Sequence, residues 1–226
     1  MRIKHYSLFN STDKFHNWSA LRNDESEAPY FLPYFHEEYL KKVDTPVPSK
    51  TTEVIIKQSK ELGIKKIFSI GCGIAAQEYE IKKFSELIVM ISDYDSSVLR
   101  IKNYNIFDNC FQLDAFKDVF PVDESFMLIF PRIDTEFDDA QLKMIFEKCK
   151  NAGIKYIWFI PAELLSVRII IVQIKVQLVS LFRKTPKVFW GYSRSKSSFE
   201  KIWGASYKII GHYKTNRVFF LLQLMD

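Results

Sequence analysis

Cysteine is scarce. Cys72, Cys110 and Cys149 are the three in a chain of 226 residues, widely spaced and without a C-x-x-C pair. An odd number at such spacing argues against a disulfide framework and reads as reduced thiols in a cytoplasmic protein. With four histidines and no metal-ligand spacing, no metal centre is expected. An uninterrupted apolar run is also missing. The most apolar long stretch, residues 164–182, is broken by Arg168 and Lys175, which argues against a membrane-spanning helix. The opening Met1-Arg2-Ile3-Lys4-His5 has no signal-peptide run. Repeats, low-complexity tracts and a clear linker are lacking. So is a dense Lys/Arg cluster: the net charge of +5 comes from 32 basic and 27 acidic residues spread along the chain. Pairs such as Lys65-Lys66 and Lys82-Lys83 read as solvated faces, and no nucleic-acid partner is expected.

What is present suits one α/β domain. Apolar residues make up 47% of the chain and aromatics 15%, enough for a buried core. Residues 1–47 read as irregular and aromatic-rich, with Tyr30, Phe31, Tyr34, Phe35 and Tyr39 around Pro33. Division of the chain into a cap segment (1–48) and a main domain (49–226) follows. Ser49 is placed to cap a helix that Gly63 stops.

Strands and helices then alternate. Strands are expected at 64–70, 87–92, 110–113, 126–130 and 156–160, and helices at 75–84, after Asp95, and around Leu142, Ile145, Phe146 and Cys149. Such alternation with short connections implies a parallel sheet covered on both faces, with ligands beyond the carboxyl ends of its strands. Residues 162–192 fit either element and lean towards helix. Ser197 and Glu200 match a capping box. Strands near 207–210 and 218–224, around a turn at Thr215-Asn216, suggest a closing antiparallel hairpin.

Three strand ends carry the chemistry. Ile70-Gly71-Cys72-Gly73-Ile74-Ala75-Ala76 is a strand, a glycine turn and a helix start, where backbone N–H groups are free to meet a ligand. Asp93 ends the second strand about twenty residues later, where a carboxylate accepts ribose hydroxyls. With Asp95 assigned to capping the next helix, Asp93 is left free for that role. Asp114-Ala115 follows the third strand, where an acid accepts from an adenine amino group.

Together these resemble the class I S-adenosylmethionine (SAM)-dependent methyltransferases over residues 50–226. The resemblance implies a Rossmann-like α/β fold, with a mostly parallel seven-stranded sheet and a C-terminal antiparallel hairpin. It implies SAM as cofactor. Gly71, Cys72 and Gly73 would pack on its methionine part, Asp93 would hold the ribose, and Tyr94 would lie on the adenine. Asp114 and Ala115 would sit at the adenine edge, and Phe130 and Pro131 near the transferred methyl. Acceptor candidates are Tyr34 and His36, which with Tyr30 either form a lid over SAM or pack into the core; Arg132 and Asp134 past the fourth strand; and Tyr192 and Arg194. The acceptor itself is expected to be a small molecule or metabolite. Two departures stand out. Ser69 replaces the acid usual two residues before the first glycine, and Ala75 or Ala76 stands where many members have a third glycine. These leave open a methyltransferase-like fold that binds or scaffolds without catalysis. A further alternative is an NAD(P)-dependent oxidoreductase, since Gly71 to Ala76 also fits G-x-G-x-x-A and Tyr192 and Lys196 have a Tyr-x-x-x-Lys spacing. The apolar stretch 164–182, followed by Arg183 and Lys184, leaves a membrane surface or a second copy of the chain open as partners.

Overall fold

A computed structural model describes residues 1–8, 18–184 and 187–225. Its centre is a seven-stranded sheet. The strands are β2 (Lys66–Ile70), β3 (Ile88–Asp93), β4 (Asn109–Gln112), β5 (Phe126–Pro131), β6 (Tyr156–Ile160), β8 (Tyr207–Lys214) and β9 (Val218–Leu224). Their order is β4-β3-β2-β5-β6-β9-β8. The first five are parallel, and β9 is antiparallel to both β6 and β8. The expected parallel sheet and closing hairpin are therefore both present.

Strand periodicity divides the core in two. Ile67, Val89, Ile91, Met127 and Ile129 pack on one face with Ile55, Ile81 and Ile101. These last come from α3 (Lys50–Glu61), α4 (Ala76–Phe84) and α5 (Val98–Lys102). Phe68, Ile70, Leu128 and Phe130 pack on the other with Leu142, Phe146, Phe199 and Trp203, which belong to α6 (Asp139–Asn151) and α8 (Lys196–Trp203). Ser49 caps α3 as expected, accepting from Thr52 N.

The N-terminal reading needs correction. Residues 1–47 are not irregular throughout: they contain β1 (Arg2–Leu8), α1 (Trp18–Asn23) and α2 (His36–Val43). The strand escaped notice because its partner is remote. β1 pairs antiparallel with β7 (Lys187–Arg194), Arg2 opposite Arg194, in a separate two-stranded sheet. The ambiguous stretch resolves into α7 (Val167–Arg183), capped by Ser166, and then β7. Ser195 displaces the expected Ser197 box as the cap of α8: its Oγ accepts from Ser198 N at 3.3 Å, while Glu200 pairs with Lys196.

Candidate functional site

Parallel pairing sets the ends of β2, β3, β4 and β5 along one edge of the sheet. The sheet order reverses direction between β2 and β5, so the Gly71 loop lies at the topological switch point, where open α/β sheets bind ligands. Gly71 has φ +81° and Gly73 φ +65°. A Cβ on Gly71 would stand 2.5 Å from Ile133 Cγ2, so both conformation and close approach demand glycine. Ala75 caps α4 with φ 55° in the left-handed region. This backbone strains any residue with a Cβ, so the position favours the glycine many methyltransferases carry there.

Asp93 is not left free. Its Oδ2 accepts from Gly73 N at 2.8 Å and its Oδ1 from Asp95 N at 3.0 Å. Asp95 itself accepts from Ser97 N at 2.9 Å, an Asx turn ahead of α5 rather than a cap of it. One carboxylate therefore ties the glycine loop to the β3 end, each oxygen keeping spare acceptor capacity. Burial pushes Asp93 above its ordinary range, opposed by the Arg22 guanidinium.

Arg22 is the residue that sequence reasoning missed most completely. It comes from α1, is 5% exposed, and places Nη2 3.9 Å from Asp93 Oδ2. A Cβ on Gly73 would lie 3.3 Å from the same Nη2. Nη1 donates to Tyr30 O at 3.2 Å, while the buried Nε has no hydrogen-bond partner among the described residues. Tyr39 Oη adds a second tie, donating to Ile74 O at 3.0 Å. The N-terminal segment thus lies against the glycine loop.

Glu78 was also missed. Ser69 Oγ donates to Glu78 Oε1 at 2.5 Å, and both residues are buried. Helix α4 thus sets a carboxyl against the serine that replaces the usual acid. Burial pushes Glu78 from 4.5 up to about 7. The sign follows from linkage: the folded state holds the proton more tightly, so this group's contribution to stability falls as pH rises from 4.5 to 7. Glu78→Gln is expected to be stabilised relative to the parent by roughly 3 kcal/mol at pH 7 and little at pH 4.5. Thermal melts across that window check it; a difference in melting temperature that does not grow with pH refutes it.

The other sequence candidates divide. Cys72 is buried, and that burial holds its thiol protonated. Tyr94 is exposed, with Gln112 Nε2 donating to its carbonyl at 3.3 Å. Leu113 N donates to Asp93 O at 2.9 Å, so Asp114 and Ala115 continue from the neighbouring strand end. Asp114 Oδ1 already accepts from Phe116 N at 2.9 Å. Phe130 is fully buried against Phe146, on the core side; Pro131 ends β5 half-buried. Tyr34 is exposed beneath the Arg100 guanidinium, 4.1 Å from its ring centre. His36 stacks on Tyr104, and Tyr30 packs edge-on to Trp18. Arg132 is exposed with φ 64°. Tyr192 lies beneath Arg2, 4.9 Å away.

Asp134 and Arg194 are both fully buried. Asp134 Oδ1 accepts from Ala162 N at 2.9 Å, and burial raises the carboxyl to about 6. Arg194 donates to Asp139 Oδ1 at 2.7 Å, to Phe137 O at 2.6 Å and to Asp134 O. Those bonds fasten β7 to the turn after β5.

No family model matches the sequence, and no curated protein matches it. Solved structures do. Magnesium protoporphyrin IX methyltransferase from Synechocystis PCC 6803 superposes with a TM-score of 0.61 at 12% identity, over 95% of this chain and 98% of that one. Human N-acetylserotonin methyltransferase in complex with SAM gives 0.58 at 15%, over 96% and 60%. A putative O-methyltransferase from Nostoc punctiforme PCC 73102 gives 0.58 at 15%, over 77% and 56%. The chain thus spans less than two thirds of the human and Nostoc proteins. With its parallel strands closed by the β6-β9-β8 arrangement, this chain has a Rossmann-like α/β fold similar to that of these class I methyltransferases.

Proposed function

We propose that the chain is a cytoplasmic enzyme that binds SAM at the Gly71–Asp93 edge and methylates a small molecule. The observation that carries this reading is the bond from Gly73 N to Asp93 Oδ2, which fuses a glycine loop and a ribose-type carboxylate at the sheet's switch point. The donor set fits the cofactor. The spare lone pairs of Asp93 suit two ribose hydroxyls, and the orphaned Nε of Arg22 suits a carboxylate. The Ser69–Glu78 pair sets an ionisable carboxyl behind the loop, in place of the usual acid. Tyr94 and the Asp114-Ala115 turn would border the adenine, and Pro131 the methyl end.

SAM supplies a methyl already activated on a sulfonium, so the protein has only to align the acceptor and exclude water. Residues 18–43, held by Arg22 and Tyr39, form the cap that does the excluding. Arg132 and Tyr34, both exposed, are the acceptor candidates, Tyr34 with its hydroxyl donating to Asn23 Oδ1 at 3.1 Å. The buried pair Asp134 and Arg194 acts through position. Supporting a small acceptor, the structural neighbours are named for small molecules such as N-acetylserotonin and magnesium protoporphyrin IX. The three buried thiols suit a reducing compartment.

Calorimetric titration tests this directly. Heat is expected with SAM and with S-adenosylhomocysteine, and none with NADH or NADPH. Against the oxidoreductase reading stand the antiparallel hairpin and the Lys196–Glu200 pair, which occupies the lysine of the Tyr-x-x-x-Lys spacing. Binding of neither adenosyl compound overturns the proposal in favour of a scaffold, a reading that the seat of Arg22 against Gly73 supports.

A further inference from the structure

Helix α7 has one face held and one face open. The held face carries Ile169 and Gln173. Gln173 clamps both backbone groups of Tyr6 in β1, with Oε1 accepting from Tyr6 N at 2.8 Å and Nε2 donating to Tyr6 O at 3.2 Å. This amide fixes the rotation of the helix, so what faces outward does so by construction. The outward residues are Val167, Ile171, Ile174, Leu178 and Leu181, at alternating spacings of four and three, with Phe182 beside them. Val167 and Leu181 are each 73% exposed and Phe182 is 79% exposed. A continuous apolar stripe of this kind is unusual on a free surface.

Charge decides what covers it. Arg168 and Lys175 each follow a stripe residue directly and are exposed along one flank, and exposed Arg183 and Lys184 close the helix. Between Glu163 and Glu200 the sequence contains no acidic residue. A second copy docked through a two-fold axis would set Lys175 near its own counterpart and Arg168 near Arg183 or itself, with no local acid to relieve the repulsion. An acidic lipid surface complements the same pattern. At 17 residues the helix is about 25 Å long, shorter than the roughly 30 Å hydrocarbon core of a bilayer. Among the described residues no helix is long and apolar enough to cross a membrane. We propose that α7 lies in the plane of a membrane interface, its stripe in the acyl boundary and its basic flank on anionic headgroups.

Co-sedimentation of the full chain with vesicles tests this. One set contains phosphatidylcholine alone, the other phosphatidylcholine with phosphatidylglycerol. The protein is expected to pellet with the anionic vesicles at least about tenfold better, and less well as salt is raised. Leu178→Asp and Lys175→Glu alter side chains on the exposed face of α7 that make no hydrogen bond or ion pair among the described residues. Each is expected to lower partitioning about tenfold or more, with circular dichroism and melting temperature unchanged. Equal partitioning of parent and both folded variants overturns the proposal. So does a parent that ignores both vesicles but forms a dimer in light scattering that Leu178→Asp dissolves, which would make the stripe a self-interface. None of these readouts depends on SAM binding.

Discussion

Asp93→Ala is expected to weaken SAM binding at least about a hundredfold and to destabilise the fold by roughly 3 to 5 kcal/mol. Both effects have one origin. The carboxylate accepts from Gly73 N and Asp95 N and faces the buried Arg22 guanidinium. Its removal leaves two N–H groups without their acceptor and a cation in low dielectric without a counter-charge, and in the proposed function it also takes away the acceptor for the ribose hydroxyls. Asp93→Asn keeps the shape but turns one acceptor into a donor, so it cannot serve both N–H groups and should fall between parent and alanine. Calorimetry with SAM at a temperature where each variant remains folded separates affinity from stability. Unchanged affinity in folded Asp93→Ala would remove the ribose role and leave Asp93 a loop fastener.

Arg194→Met is expected to show the opposite split: a loss of roughly 3 to 5 kcal/mol with SAM affinity preserved. The guanidinium is fully buried and satisfies the carbonyls of Asp134 and Phe137 as well as Asp139. Methionine fills much of the volume but strands both carbonyls, and each buried orphan costs about 1 to 3 kcal/mol. For a chain of this size the melting temperature should fall by roughly 6 to 20 °C. The effect is structural because Arg194 joins β7 to the turn after β5. A folded Arg194→Met protein that melts like the parent, yet loses methyl transfer, would restore Arg194 to the acceptor site.

These two residues show how much the sequence disclosed. The place of Asp93 beside the glycine loop was legible because a strand, a glycine turn and an acid at fixed spacing are all local features. The parallel strands and the hairpin were legible because they too are local features: the mostly buried β2, β5 and β6 write themselves as short apolar runs. Arg194 reads in the sequence as an acceptor candidate, and its hydrogen-bond partners Asp134, Phe137 and Asp139, about sixty residues away, leave no sign beside it. Arg22 and Glu78 were invisible on similar grounds. Nothing near Arg22 in sequence announces that it will lie against Gly73, and Glu78 looks like an ordinary first-turn helix acid until its bond with Ser69 is seen. One hint was available: a serine in place of an acid invites a search for a compensating carboxylate on the helix that follows. The β1–β7 pairing gave no local signal, since the two strands lie far apart in the chain.

That pairing also bears on how the chain is made. Arg2–Leu8 leaves the ribosome well before Lys187–Arg194, a wait of roughly 10 to 40 s at ordinary elongation rates. Throughout it, a strand rich in unpaired backbone groups has no mate, and the Gln173 amide that later clamps Tyr6 does not yet exist. Of the two paired strands, the one made earlier is therefore secured only after the later one has emerged, and its edge stays open in the interval.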